Sequence, residues 1–172
     1  KLLKMNHSQI IFPYNIQELS PCINEIGFDL HFNGIYKQHV NDYNNSKGDI
    51  PFNKAGSFLH SHYFDNIREY RKDNLPLGKV LNVIENRYGN FDNFKLTCID
   101  QATRLQGNGW LFMNHAGYIN IIPNNRIVND IILLIDLWEH AFIPSHGINK
   151  EDYIRTHMNI INWDTVNNRL TT

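Results

Sequence analysis

The chain is expected to adopt an α+β fold: an N-terminal helical hairpin followed by an α/β lobe with a three-stranded antiparallel sheet. Residues 21–43 and 52–71 carry helical apolar periodicity with few breakers, parted by the turn cluster Asn44-Asn45-Ser46-Lys47-Gly48-Asp49-Ile50-Pro51. Short apolar runs then replace helical spacing, separated by Gly117 and by Pro123-Asn124-Asn125. The last run ends on a carboxylate.

In chain order, the two periodic segments and their short turn predict antiparallel helices. Asp73-Asn74-Leu75-Pro76-Leu77-Gly78 interrupts them, and 77–87 and 91–105 read as further helices parted at Gly89. Residues 109–113, 118–122 and 131–135 read as strands. A final amphipathic helix is expected over 150–168. The interruption divides the chain into an α-hairpin domain, 5–75, and an α/β domain, 76–172.

A length of 172 residues suits one compact unit with a real core. The net charge of −1 supplies no electrostatic footprint for nucleic acid or an anionic membrane, so neither partner is expected. No apolar run approaches membrane-spanning length, no signal-peptide pattern is present, and Met5 is a candidate native start. Cys22 and Cys98 are isolated and form no Cys-x-x-Cys, which points to the cytoplasm or another reducing compartment.

The stretch 131–142 holds the chemistry. Five large aliphatics, 131–135, lead into Asp136-Leu137-Trp138-Glu139-His140-Ala141-Phe142. A buried strand does not tolerate an unpaired terminal charge, because desolvating a carboxylate costs several kcal/mol. Alone, the run reads two ways. Asp136 caps the next turn beside a packed His140, or both bind a transition-metal cation.

That run resembles the metal signature of iron/manganese superoxide dismutases, Asp-x-Trp-Glu-His-Ala-Tyr. Other segments resemble the family in the same order. Phe12-Pro13-Tyr14 is similar to its Leu-Pro-Tyr start, and Leu19-Ser20-Pro21-Cys22-Ile23 with Leu30-His31 to its first helix. Phe52-Asn53-Lys54-Ala55-Gly56-Ser57-Phe58-Leu59-His60-Ser61 is similar to its second helix, and Gln106-Gly107-Asn108-Gly109-Trp110 to Gln-Gly-Ser-Gly-Trp. Asp152-Tyr153 and Asn159-Ile160-Ile161-Asn162-Trp163 are similar to its last helix. The resemblance covers about residues 12–170.

It implies one manganese or iron ion per chain, held by His31, His60, Asp136 and His140, with a further position open to solvent. It implies superoxide as substrate, converted to dioxygen and hydrogen peroxide. Trp110 and Trp138 would wall the site, and Glu139 would cross a homodimer interface to hydrogen-bond the partner's His140. His7, His62, His115, His146 and His157 are read as surface or packing residues.

The chain departs from the family around the ligands. The usual Gln that bonds the solvent is missing: Gly56 stands at its iron-type position, and at the manganese-type turn, 123–126, Asn125 is the substitute, one methylene shorter, with a shorter loop to Asp136. His39 replaces the gateway Tyr, and Ile35 and Ile143 replace a polar His–Tyr pair across the dimer. Two function classes follow: an active superoxide dismutase with altered surroundings, or a metal-binding structural or assembly subunit of the same fold with weak or no activity. A zinc hydrolase is disfavoured, since no His-Glu-x-x-His run exists.

Overall fold

The computed structural model describes residues 5–172. A 3₁₀ turn, Ile16–Leu19, precedes the first helical arm, which is built of α1 (Glu25–Asp29), a π-helical segment (Leu30–Tyr36) and α2 (Lys37–Asn44). The Asn24 side chain starts the arm by accepting from the Gly27 amide at 2.7 Å. Helical periodicity does not reveal the π-helical stretch, and this stretch carries His31. After the turn, α3 (Ile50–Asp65) starts with Asp49 accepting from the Phe52 amide at 2.9 Å and with Pro51 in its first turn.

The second helix was expected to reach residue 71 but stops at Asp65. Asn66 is fully buried, and its Oδ1 accepts from the Leu134 amide at 2.9 Å. The chain then leaves the helix, and Ile67 bridges Ile161 in antiparallel fashion. The same contact explains a second correction. The expected helix 150–168 is split into α7 (Lys150–His157), a 3₁₀ turn (Met158–Ile160) and α8 (Trp163–Thr171). Asn162 donates its amide to Asn66 O at 2.8 Å and caps α8 with its side chain.

Helices α4 (Gly78–Tyr88) and α5 (Phe91–Arg104) lead into the sheet. β1 (Gly109–Met113) is central, flanked by β2 (Ile119–Pro123) and β3 (Leu133–Asp136), all antiparallel in the order β2-β1-β3. The expected 118–122 and 131–135 strands therefore lie one to two residues further along. Register places Trp110 opposite Asp136 and Ile122. A Cβ on Gly109 would lie 2.5 Å from Ile122 O, so the close approach of β1 and β2 needs glycine. Beyond β3, α6 (Glu139–His146) is a helix that the apolar pattern did not announce.

One buried cluster joins α3, the sheet and α7 through Leu59, Tyr63, Phe64, Trp110, Ile135 and Tyr153. Each such side chain contributes ~1.5–3 kcal/mol by leaving water. The site sits on this cluster, between the helical arm and the end of β3.

Candidate metal centre

His31 comes from the π-helical segment, His60 from α3, Asp136 from the last position of β3 and His140 from the first turn of α6. Their ligand-type atoms all lie within 4.8 Å of one another. Asp136 Oδ2 is 2.9 Å from His31 Nε2, 3.1 Å from His140 Nε2 and 3.7 Å from His60 Nε2. Its other oxygen accepts from the Trp138 amide at 2.8 Å, which turns Oδ2 inward. His60 Nδ1 donates to Gly56 O at 2.7 Å, so the neutral ring offers its Nε2 lone pair to the cluster.

The nitrogens His31 Nε2 and His60 Nε2 are buried and, among the described residues, have no hydrogen-bond partner, although His31 Nε2 lies 2.9 Å from Asp136 Oδ2. Burial lowers the pKa of both rings, and His31 lowers His60 further. Burial alone would raise Asp136, but His140 and His31 outweigh it and hold the carboxyl well below the usual carboxylate range. Neutral imidazoles around an ionised carboxylate are the protonation state that a cation requires. The donor set, nitrogen with one oxygen, fits iron or manganese, and the two orphaned nitrogens are what such an ion would take up.

Aromatic rings wall the cluster. Trp110 meets His60 edge-on at 5.0 Å, and Trp138 stacks on His140 at 5.8 Å. Tyr36 stacks on His60 at 5.8 Å, and Tyr63 on His31 at 5.3 Å. The sequence reading did not single out Tyr36 or Tyr63. The available signal was the helical spacing that puts Tyr63 one turn beyond His60.

The His39 ring lies 5.3 Å from His60, its Nδ1 is 3.0 Å from Asn53 Oδ1, and burial lowers its pKa. Asn125 Oδ1 accepts from Trp110 Nε1 at 3.0 Å and so holds one wall of the site. Trp138 Nε1 is buried and has no partner among the described residues. Glu139 is exposed, and among the described residues its side chain makes no hydrogen bond or ion pair. Ile35 is half-buried and Ile143 is 42% exposed. His157 is fully buried, whereas His115 pairs with Asp130 in the open.

No helix among the described residues is long and apolar enough to cross a membrane. The sequence model of the family described as iron/manganese superoxide dismutases, C-terminal domain, matches residues 76–169. Over the longer span, the chain is 31% identical to an iron superoxide dismutase of Sulfolobus acidocaldarius, covering 92% of this chain and 90% of that protein. It is 30% identical to an iron superoxide dismutase of Saccharolobus solfataricus, again over 92% of this chain and 90% of the relative. A manganese/iron superoxide dismutase of Porphyromonas gingivalis is 28% identical over 96% of this chain and its own full length. With three imidazoles and a carboxylate gathered on these elements, and with these likenesses along the chain, the protein belongs to the iron/manganese superoxide dismutase family.

Proposed function

We propose that the chain converts superoxide to dioxygen and hydrogen peroxide at a single iron or manganese ion held by His31, His60, Asp136 and His140. The observation that carries this reading is the pair of buried, partnerless imidazole nitrogens beside a buried ionised carboxylate. When bound, the ion supplies the one-electron redox chemistry. The proposed domains 5–75 and 76–172 each contribute two ligands, so the site needs both.

The chain's own residues set the conditions. Trp110, Trp138 and Tyr36 exclude water and keep the local dielectric low, which strengthens every charge interaction inside. Asn125 holds the Trp110 ring in place. His39 stands beside the ligands as the gate. The exposed, unpaired Glu139 carboxylate is suited to meet His140 of a second copy across a homodimer interface, and Ile143 would lie near the same face.

The test is metal analysis and activity of protein loaded separately with iron and with manganese. About one ion per chain and superoxide-dependent turnover in at least one form are expected. Full metal content without turnover in either form would overturn the enzymatic reading in favour of a structural subunit.

A further inference from the structure

We infer that Asn53 is a positioning residue: it fixes the His39 ring in the tautomer protonated at Nδ1, which leaves Nε2 a bare acceptor, and this seat exists because residue 56 is glycine. Asn53 is 8% exposed on α3, and its Nδ2 donates to Lys47 O at 3.0 Å. A carbonyl oxygen only accepts, so the amide cannot be turned the other way. Oδ1 is therefore the atom that meets His39 Nδ1 at 3.0 Å. That oxygen also only accepts, so Nδ1 must carry the proton. In the neutral ring the lone pair then lies on Nε2, which makes no hydrogen bond to protein among the described residues.

The far end of the relay is anchored. Lys47 lies in the hairpin turn, and its amide donates to Asp42 O at 2.8 Å. Gly48 follows with φ +66°, and any Cβ there would approach Asn53 Nδ2 at 3.6 Å. The turn, the amide and the ring are thus one connected unit. The ring borders a cavity of about 490 Å³ lined by Gly34, Ile35, Gln38, Asp42 and Asn53.

Gly56 provides the space. A Cβ at this position would lie 2.7 Å from His39 Cγ and Nδ1 and 2.8 Å from Cδ2, closer than real atoms approach. A side chain at residue 56 and the observed His39 ring therefore exclude each other. The glycine on α3 and the histidine ring on α2 are therefore mutually dependent in this chain. The result is an acceptor nitrogen for an O–H group, either solvent or the hydrogen peroxide product. The catalytic meaning of that atom rests on the function proposed above; the tautomer does not.

Neutron diffraction on deuterium-exchanged crystals of the metal-loaded full chain, at mildly alkaline pH, reads the tautomer directly. The wild type should show a deuteron on His39 Nδ1 and none on Nε2. In Asn53→Leu the acceptor is gone, and the deuteron should appear on Nε2. In Gly56→Ala the ring should be displaced from Asn53; this variant gives the comparison if Asn53→Leu does not fold. A deuteron on Nε2 in the wild type, or the same tautomer and ring position in the variants, would overturn the inference.

Turnover supplies the functional arm. Asn53→Leu should lose about 10- to 100-fold at unchanged metal content. Asn53→Asp keeps an acceptor for His39 Nδ1 but loses the donor to Lys47 O, and should recover part of that loss. Equal losses in both variants would reduce Asn53 to a structural role. A wild type without turnover but with the stated tautomer would sink the proposed function and leave the Asn53 assignment standing.

Discussion

Acidification from about pH 7 to about pH 5 should remove roughly 2 kcal/mol of folding stability through His157 alone. This imidazole is fully buried, its Nε2 has no partner among the described residues, and its Nδ1 is 3.8 Å from Cys22 Sγ. Burial pushes its pKa from the ordinary 6.5 down to about 3, against a smaller opposing pull from Asp136. In the unfolded chain the ring titrates normally. A depressed folded value makes its contribution complete above 6.5, and it drains away as pH falls toward about 3. At pH 5 the medium lies ~1.5 units below the unfolded value, and ~1.4 kcal/mol per unit gives about 2 kcal/mol. The assay is urea unfolding at several pH values for wild type and His157→Leu, where this effect amounts to roughly 1 M in midpoint. His31 and His60 also resist protonation, but they are common to both proteins and cancel in the difference of slopes. Parallel stability–pH curves would refute the reasoning, whatever the absolute stability of the variant.

Further outcomes can be checked the same way. Asp136→Asn should abolish stoichiometric metal binding in an elemental assay while the chain still folds, because it removes the one ligand charge among the imidazoles. Asn66→Leu should cost about 1–3 kcal/mol in thermal or urea unfolding, since it leaves the buried Leu134 amide without its acceptor. Gly109→Ala should destabilise the sheet by roughly 1–3 kcal/mol, because the new methyl meets the Ile122 carbonyl rather than a movable side chain. Sedimentation of the wild type should give a dimer, and Glu139→Ala should weaken it without changing the monomer's helix content.

The stretch 131–142 was legible because its signal is local: a buried run ends on a charge, with a histidine four residues on. The helical hairpin was legible from apolar periodicity and the turn cluster 44–51, whereas its capped starts, Asn24 for α1 and Asp49 for α3, fall a few residues away from the expected 21 and 52. What could not be read depends on partners distant in sequence. Asn66 ends α3 by serving Leu134, and the Ile67–Ile161 bridge breaks the last helix. Neither residue announces its partner. The π-helical turn under His31 leaves an apolar pattern much like that of an ordinary helix. Asn53 stood unremarked in a recognised motif, because its value lies in what α2 presses against it.

The pairing of Trp110 with Asp136 across β1 and β3 has a consequence for how this protein tolerates change. The ladder, not the connecting segment, measures out where the carboxylate arrives. Residues may be deleted between β2 and β3 at little expense, because the strand re-enters in the same phase. A single residue inserted within β3 would instead rotate Asp136 to the opposite side and point it away from His31, His60 and His140. Length variation among descendants of this chain should therefore accumulate in 124–132 and be absent from 133–136.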